Sequence, residues 1–325
     1  MPTKPTLSSV ELNLGYTAWS SSYVDTVLHN NFYTIRPTLE YLRSNKEELP
    51  GGKEWRVPLW DGIEPVGSWY SRADTFSWTD VDQGLMAVYY PVQVFEPCVI
   101  LSVDEDTYEG LPAKVGFVKS KVDNMHERLA RKLNTALYTA SPASNAVGSL
   151  PQAIASSGTY GNVDPTVDTW WVSTAQSSFS FASSGITKCR SMWTLLTKWS
   201  NVGEPDTVLC DSTIWEAAQA AGFAHMTVYG STGQNATNDV NLNSKNIGFN
   251  TAKFVYDPDC TSGGAYWMNK KAISLVERSG KGLSMEPWVD LRPAGIPGRG
   301  TREIWMGQLV DKSRAGLGKW SSVTA

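Results

Sequence analysis

One apolar stripe constrains this chain more than any other feature. Val115, Val118, Val122, Met125, Leu129, Leu133 and Leu137 recur at spacings of three and four, which places them on one helical face over about six turns. Lys114, Lys119, Lys121, Asp123, Glu127, Arg128, Arg131 and Lys132 occupy the other faces. The pattern predicts a helix over 114–138, roughly 37 Å long at about 1.5 Å per residue and about twice the average globular helix. Leu111-Pro112-Ala113 supplies its start, because a proline N–H would have no helical partner in the first turn anyway. The stripe alone also fits an ordinary core-facing helix. What precedes it makes the difference: residues 86–103, MAVYYPVQVFEPCVILSV, read as a long strand interrupted by Pro91 and Pro97. Proline cannot donate to a ladder, so this strand belongs at a sheet edge or in an exposed arm.

A second strand, Trp55 to Trp60, lies upstream, and residues 61–84 between the two carry turn signals at both ends. The intervening stretch holds Trp69, Tyr70, Arg72, Phe76 and Trp78. It is either a decorated loop folded onto its own domain or the tip of a long hairpin arm that reaches another subunit. An isolated hairpin is marginal in water, and these aromatic side chains need a cover, which favours the arm. Residues 1–30 read as an extended N-terminal arm, docked because Leu12, Leu14, Tyr16, Trp19 and Tyr23 are too apolar for a solvated tail. Residues 26–46 hold a short helix broken at Pro37, and 49–52 a turn.

Beyond the long helix, residues 141–167 are rich in Ser, Ala and Gly and contain Pro142, Pro151 and Pro165, which predicts a partly mobile connection. After Trp170-Trp171, Ser183 or Ser184 caps a helix with Ile186, Cys189, Trp193, Leu196 and Trp199 on one face. Residues 207–210 form a buried strand, and Asp211 or Ser212 caps a helix that buries Ile214, Trp215, Ala218 and Ala221 and stops at Gly222. A polar insertion spans 223–246. Strands follow at 249–256 and 265–268, with a turn at 257–264 and an apolar stretch at 272–277. After a Gly/Pro/Arg-rich loop at 292–300, a last strand runs from Arg302 to Val310 and on toward Trp320.

Chemistry is hard to place on this chain. His29, His126 and His225 are far apart; His126 precedes Glu127, but Ala130 stands where a zinc helix needs its second histidine. No phosphate loop occurs, since Gly295 to Gly300 follows no strand, and residues 80–84 lack the later ligands of a calcium loop. Asp104 with Asp106, and Asp257 with Asp259, are candidates for a metal or an acid–base pair, although turn carboxylates of this kind are commoner as caps. No catalytic, cofactor-binding or metal-ligating residue is therefore nominated. Cys98, Cys189, Cys210 and Cys260 are widely spaced without CxxC, which suits reduced thiols. There is neither a secretory h-region nor an apolar run near the roughly 20 residues that span a bilayer. A net charge of −4 argues against a dedicated nucleic-acid binder. The 14 Trp residues leave two readings open, extensive protein contacts or a glycan site. A glycosidase would need two carboxylates about 5–9 Å apart, and no pair nominates itself.

In order and pattern these parts resemble the major capsid proteins of tailed double-stranded DNA bacteriophages, whose shell fold is shared with encapsulins and the herpesvirus capsid floor. The resemblance is strongest over residues 89–138 (YYPVQVFEPCVILS…KVDNMHERLARKLNTALY) and 302–320 (REIWMGQLVDKSRAGLGKW), and residues 203–222 fit the axial-domain unit. The insertion at 223–246 and the excess of Trp depart from it. It implies an α+β fold: N-terminal arm 1–30, short helical linker 31–52, extended β-hairpin loop 53–103, peripheral domain 104–165 and 247–325 with spine helix 114–138, and axial domain 166–246, the 247–325 part being shared with the axial domain. It implies no enzyme and no cofactor, but a protein that assembles in the bacterial host cytoplasm, as hexamers and pentamers, into an icosahedral shell around the phage genome. An encapsulin-type compartment is the alternative. The implied partners are further copies, a portal protein, a decoration or cement protein, and packaged DNA held by weak non-specific contacts; no membrane is involved. Trp69, Tyr70, Arg72, Phe76 and Trp78 would contact the neighbouring subunit, and Val118, Val122, Met125, Leu129 and Leu133 would form the core face of the spine. About 30 residues precede the first element, too few for a helical scaffold domain, so a separate scaffolding protein is expected. Lys119, Lys121, Arg128 and Lys132 are its candidate contacts, through a salt-sensitive attraction to an acidic partner.

Overall fold

The computed structural model describes residues 36–60, 69–72, 75, 85–95, 97–102, 111–198, 202–225 and 247–325. The expectations for the N-terminal arm, for Phe76, Trp78 and Trp199, for Asp104 and Asp106, and for residues 226–246 lie outside them.

Helix α1, Pro37–Ser44, begins at the proline that was expected to break it. Its fixed φ and missing N–H suit the first helical position. Strand β1 (Glu47–Leu49) follows, then β2 (Glu54–Trp60) and β3 (Leu85–Pro91), paired antiparallel from Glu54↔Pro91 to Trp60↔Leu85 as the root of the expected hairpin. The expected strand over 86–103 is three strands. Strands β4 (Gln93–Phe95) and β5 (Cys98–Ser102) are separated from β3 and from each other near Pro91 and Pro97, where the ladder loses its donors.

The spine helix α2 spans Leu111–Leu137, about 40 Å at about 1.5 Å per residue. Met125, Leu129, Leu133 and Leu137 are buried and Val122 is half-buried; Val118 and Lys119 are helical, with side chains outside the description. Leu129 is fully buried, so Leu129→Ala is expected to cost about 2–5 kcal/mol through lost transfer energy and a cavity. A thermal melt within a degree of wild type would show that the helix packs on a different face.

Residues 141–167, expected to be a partly mobile connection, are packed in part: 147–150 and 153–154 are buried, while 143–145 and 156–159 are exposed. Helix α3 (Leu150–Ala153) lies among them, and Val147, Leu150, Ile154, Tyr160, Val163 and Trp171 are buried. Strand β6 (Thr174–Ser177) leads to helix α4 (Phe181–Lys198). This helix starts earlier than the serine caps suggested: Ser183 and Ser184 lie in its first turn and donate to the Ser180 carbonyl. Its buried face is Phe181, Gly185, Cys189, Met192 and Leu196, with Ile186 and Trp193 half-buried. Strand β7 (Thr207–Cys210) is followed by Asp211, whose carboxylate accepts from the Ile214 N–H at 3.1 Å and caps helix α5 (Ser212–His225). The helix runs through Gly222, which costs only about 1 kcal/mol inside a helix and is not a stop by itself.

Strand β8 (Gly248–Phe249) turns back at Asn250, φ +53°, into β9 (Ala252–Tyr256), so the expected strand 249–256 is a tight hairpin. Strand β10 (Ala265–Met268), the long β11 (Ile273–Met285), the short β12 (Val289–Asp290) and β13 (Gly298–Asp311) follow. The last expected strand does not reach Trp320. It ends at Asp311, a 3-10 turn at Arg314–Gly316 redirects the chain, and Trp320 sits in β14 (Gly318–Ser321) of a different sheet.

Two six-stranded sheets result. The first has the order β1-β11-β13-β12, with β4 and β5 along the other side of β13. The second has the order β6-β14-β10-β7-β9-β8, with α5 connecting parallel β7 and β9. Trp267 and Trp320 meet edge-to-face at 5.1 Å in the second core, with Phe179 and Phe254 beside them.

Candidate functional site

The hairpin β2–β3 belongs to neither large sheet. Its root is nonetheless held tightly. Val88 and Tyr90 are buried; the Tyr90 hydroxyl donates to the Asp311 carbonyl at 3.0 Å, and its ring lies 5.4 Å from that of Tyr160. Gln308 donates to the Pro91 carbonyl at 3.0 Å. Gly161, at φ +65°, lies under the hairpin, where any Cβ would collide with Val88, so both its backbone and its lack of a side chain are needed there. Toward the tip the picture reverses. Trp69 is completely exposed, Tyr70 is 39% exposed and Arg72 is exposed.

The spine helix is fastened at several points. Arg36 pairs with Glu127 at 2.6 Å, and His126 Nδ1 lies 2.8 Å from the buried Glu303 of β13. Asn134 accepts from the Leu39 N–H and donates to Asp257 and Asp259, while Asp257 also accepts from the Thr38 N–H. The two aspartates that sequence offered as a metal or acid–base pair thus tie α1 and the spine to the turn after β9. Glu277 is likewise a buried tie: it accepts from Trp305 Nε1 at 2.9 Å and lies 3.4 Å from Lys46 Nζ. On the open side of the spine, Arg128 and Lys132 are exposed and Lys121 is half-buried.

Sequence reasoning missed the joint between the sheets. Arg314 is fully buried, and its guanidinium donates to the carbonyls of Gln152, Ala153, Gly158 and Trp171 at 2.9–3.3 Å. It lies 5.9 Å from the Tyr160 ring and 6.0 Å from the Trp171 ring. Nothing in the local pattern around Arg314 announces that its partners lie about 150 residues earlier.

Among the described residues no three His, Cys, Asp or Glu side chains could hold a metal ion, and no helix is long and apolar enough to cross a membrane. A cleft of about 280 Å³ between α4, α5 and β8–β9 is apolar, lined by Phe181, Ile186, Phe249 and Phe254, with Arg190 as its charged member. All four cysteines are free; Cys98 is exposed, and burial pushes the Cys189 thiol up to about 12. Trp171, Trp267, Trp305 and Trp320 are fully buried, so much of the Trp excess is spent on the cores.

No protein-family model and no curated protein matches the sequence. Solved structures do. The chain is similar to that of the capsid asymmetric unit of cyanophage A-1(L), at TM-score 0.71 and 14% identity over 96% of this chain and 99% of that one. It is similar to the capsid chain of a native GTA particle, at TM-score 0.60 and 11% identity over 98% and 99%. It is also similar to the SrpI encapsulin of Synechococcus elongatus PCC 7942, at TM-score 0.58 and 11% identity over 96% and 95%. The tied-down hairpin root, the spine helix and the two sheets are therefore parts of one known architecture: the chain has the shell fold of phage major capsid proteins, which encapsulins share.

Proposed function

We propose that this chain is a structural, non-enzymatic protein that self-assembles, as hexamers and pentamers, into an icosahedral capsid enclosing phage double-stranded DNA. The observation that carries this reading is end-to-end correspondence: 96% of this chain aligns with 99% of a solved cyanophage capsid chain. The completely exposed Trp69 supports it, because a large aromatic side chain left in water suits contact with a neighbour. Under this reading, residues 53–103 are the extended loop, and the sheets and helices divide into peripheral and axial domains as the resemblance implies. The similarity to the SrpI encapsulin favours a second reading, a protein compartment that encloses other cargo.

A separate scaffolding protein, a portal protein and a decoration protein complete the proposed set of partners. The exposed Arg128 and Lys132 support an acidic, salt-sensitive scaffold contact on the spine. The test is the particle itself. The chain expressed alone, then with a candidate scaffold, is sized by light scattering and imaged. Closed megadalton shells are expected, made uniform by the scaffold, with nuclease-resistant DNA inside particles from infected cells. Protein cargo instead of DNA would favour the compartment. A monodisperse monomer under both conditions would overturn the shell reading.

A further inference from the structure

Asp311 is the last residue of β13 and is fully buried, and neither of its carboxylate oxygens has a hydrogen-bond partner. The donors around it are already committed. The Tyr90 hydroxyl, from β3, donates to the Asp311 backbone carbonyl, and the Tyr160 hydroxyl, from the segment after the spine, donates to the Leu309 carbonyl at 2.8 Å. Arg314, from the turn that follows, spends its guanidinium on four other carbonyls. The adjacent Lys312 pairs with Glu47 of β1. Tyr90, Tyr160 and Arg314 are the titratable groups that interact electrostatically with the carboxyl.

The position is a crossing point. Just past Asp311 the chain leaves the first sheet for the second. The hairpin root is anchored there through Tyr90, and the 150–171 segment through Arg314. A buried carboxylate without donors is costly. Burial pushes the Asp311 carboxyl up to about 7, and the Arg314 charge only partly offsets this.

We propose that Asp311 is a proton-operated lock on the hairpin: neutral, it lets the joint pack as described; ionised, it draws the Tyr90 and Tyr160 hydroxyls off their carbonyls and loosens the hairpin root. The direction follows from linkage. The folded value lies above the ordinary 3.8, so an open or unfolded state releases a proton. The stabilisation is complete below the ordinary value, is lost as pH rises toward about 7, and stays lost above it. This inference does not depend on what the chain assembles into.

The test is hydrogen exchange of the full chain, read on peptides covering 85–92 and 150–171 and corrected for the intrinsic pH dependence of exchange. Protection is expected to fall by up to about tenfold per pH unit between about pH 5 and 7 in the wild type, and by less than about twofold in Asp311→Asn. Equal pH dependence in the two proteins would overturn the proposal. Infrared spectroscopy of the wild type needs no variant: the band of a buried protonated carboxyl should be present at about pH 6 and faded by about pH 8. Its absence at the lower pH would also overturn the proposal.

Discussion

Arg314→Ala is expected to lower the stability of the full chain by about 4 kcal/mol or more, within the range for breaking a buried charged tie. The substitution strips four carbonyls of a shared donor. Each buried acceptor left unpaired costs about 1–3 kcal/mol, and partial collapse and water entry keep the sum below simple addition. Asp311 would lose its cation too, but it can take up a proton, so the carbonyls dominate the loss. Arg314→Lys should recover less than half of it, because a single ammonium cannot present a planar fork to carbonyls on several sides. Urea unfolding followed by Trp fluorescence reads both variants, with Trp171 close to the site. If Arg314→Ala lacks a folded baseline, far-UV circular dichroism of Arg314→Lys still ranks the effect. A wild-type midpoint for both variants would show that the joint is not held by this side chain.

The elements legible in the sequence were those whose pattern is local. The spine helix announced itself because seven apolar residues keep one period over its whole length, and burial of Met125, Leu129 and Leu133 follows that period. The hairpin was legible for the same reason, since two β-rich runs flank a turn-rich, aromatic stretch. What was not legible depends on partners far away in sequence. Residues 141–167 look like linker by composition, and partners far away in sequence, among them the Arg314 guanidinium and the Gln308 side chain, make part of them core. Trp320 lies nine residues past the end of β13, and nothing in that short stretch says that it changes sheets. Pro37 was misread because a proline breaks a helix interior but opens a helix when it stands first. Of the residues offered as functional, Asp257 and Asp259 proved to be ties inside the fold. Trp69, Tyr70, Arg72, Arg128 and Lys132 are exposed, and their role as contacts to partners stays a proposal.

Replacing residues 62–84 with a short Gly/Ser turn is expected to leave a folded chain that no longer forms shells. The root explains the first half. Val88, Tyr90 and Leu59 are buried, and Gln308 and Asp311 hold the strand end from the β13 side. None of these contacts is touched by the replacement. Closing a shorter loop is also slightly cheaper, by about 1 kcal/mol, so the melting temperature should stay close to wild type. The tip explains the second half. A Trp side chain removes roughly 200 Å² from water when buried, worth about 5 kcal/mol gross at about 25 cal/mol per Å². Trp69 makes none of that gain within its own chain, where it stands completely exposed. If the gain is realised on a neighbouring copy, it recurs once per subunit, and its loss should stop closure even where each pairwise contact is weakened only moderately. Size-exclusion chromatography with negative-stain imaging separates the outcomes: folded small species in place of particles are expected. Trimmed chains that still build normal shells would mean that the hairpin tip is not an arm to a neighbour.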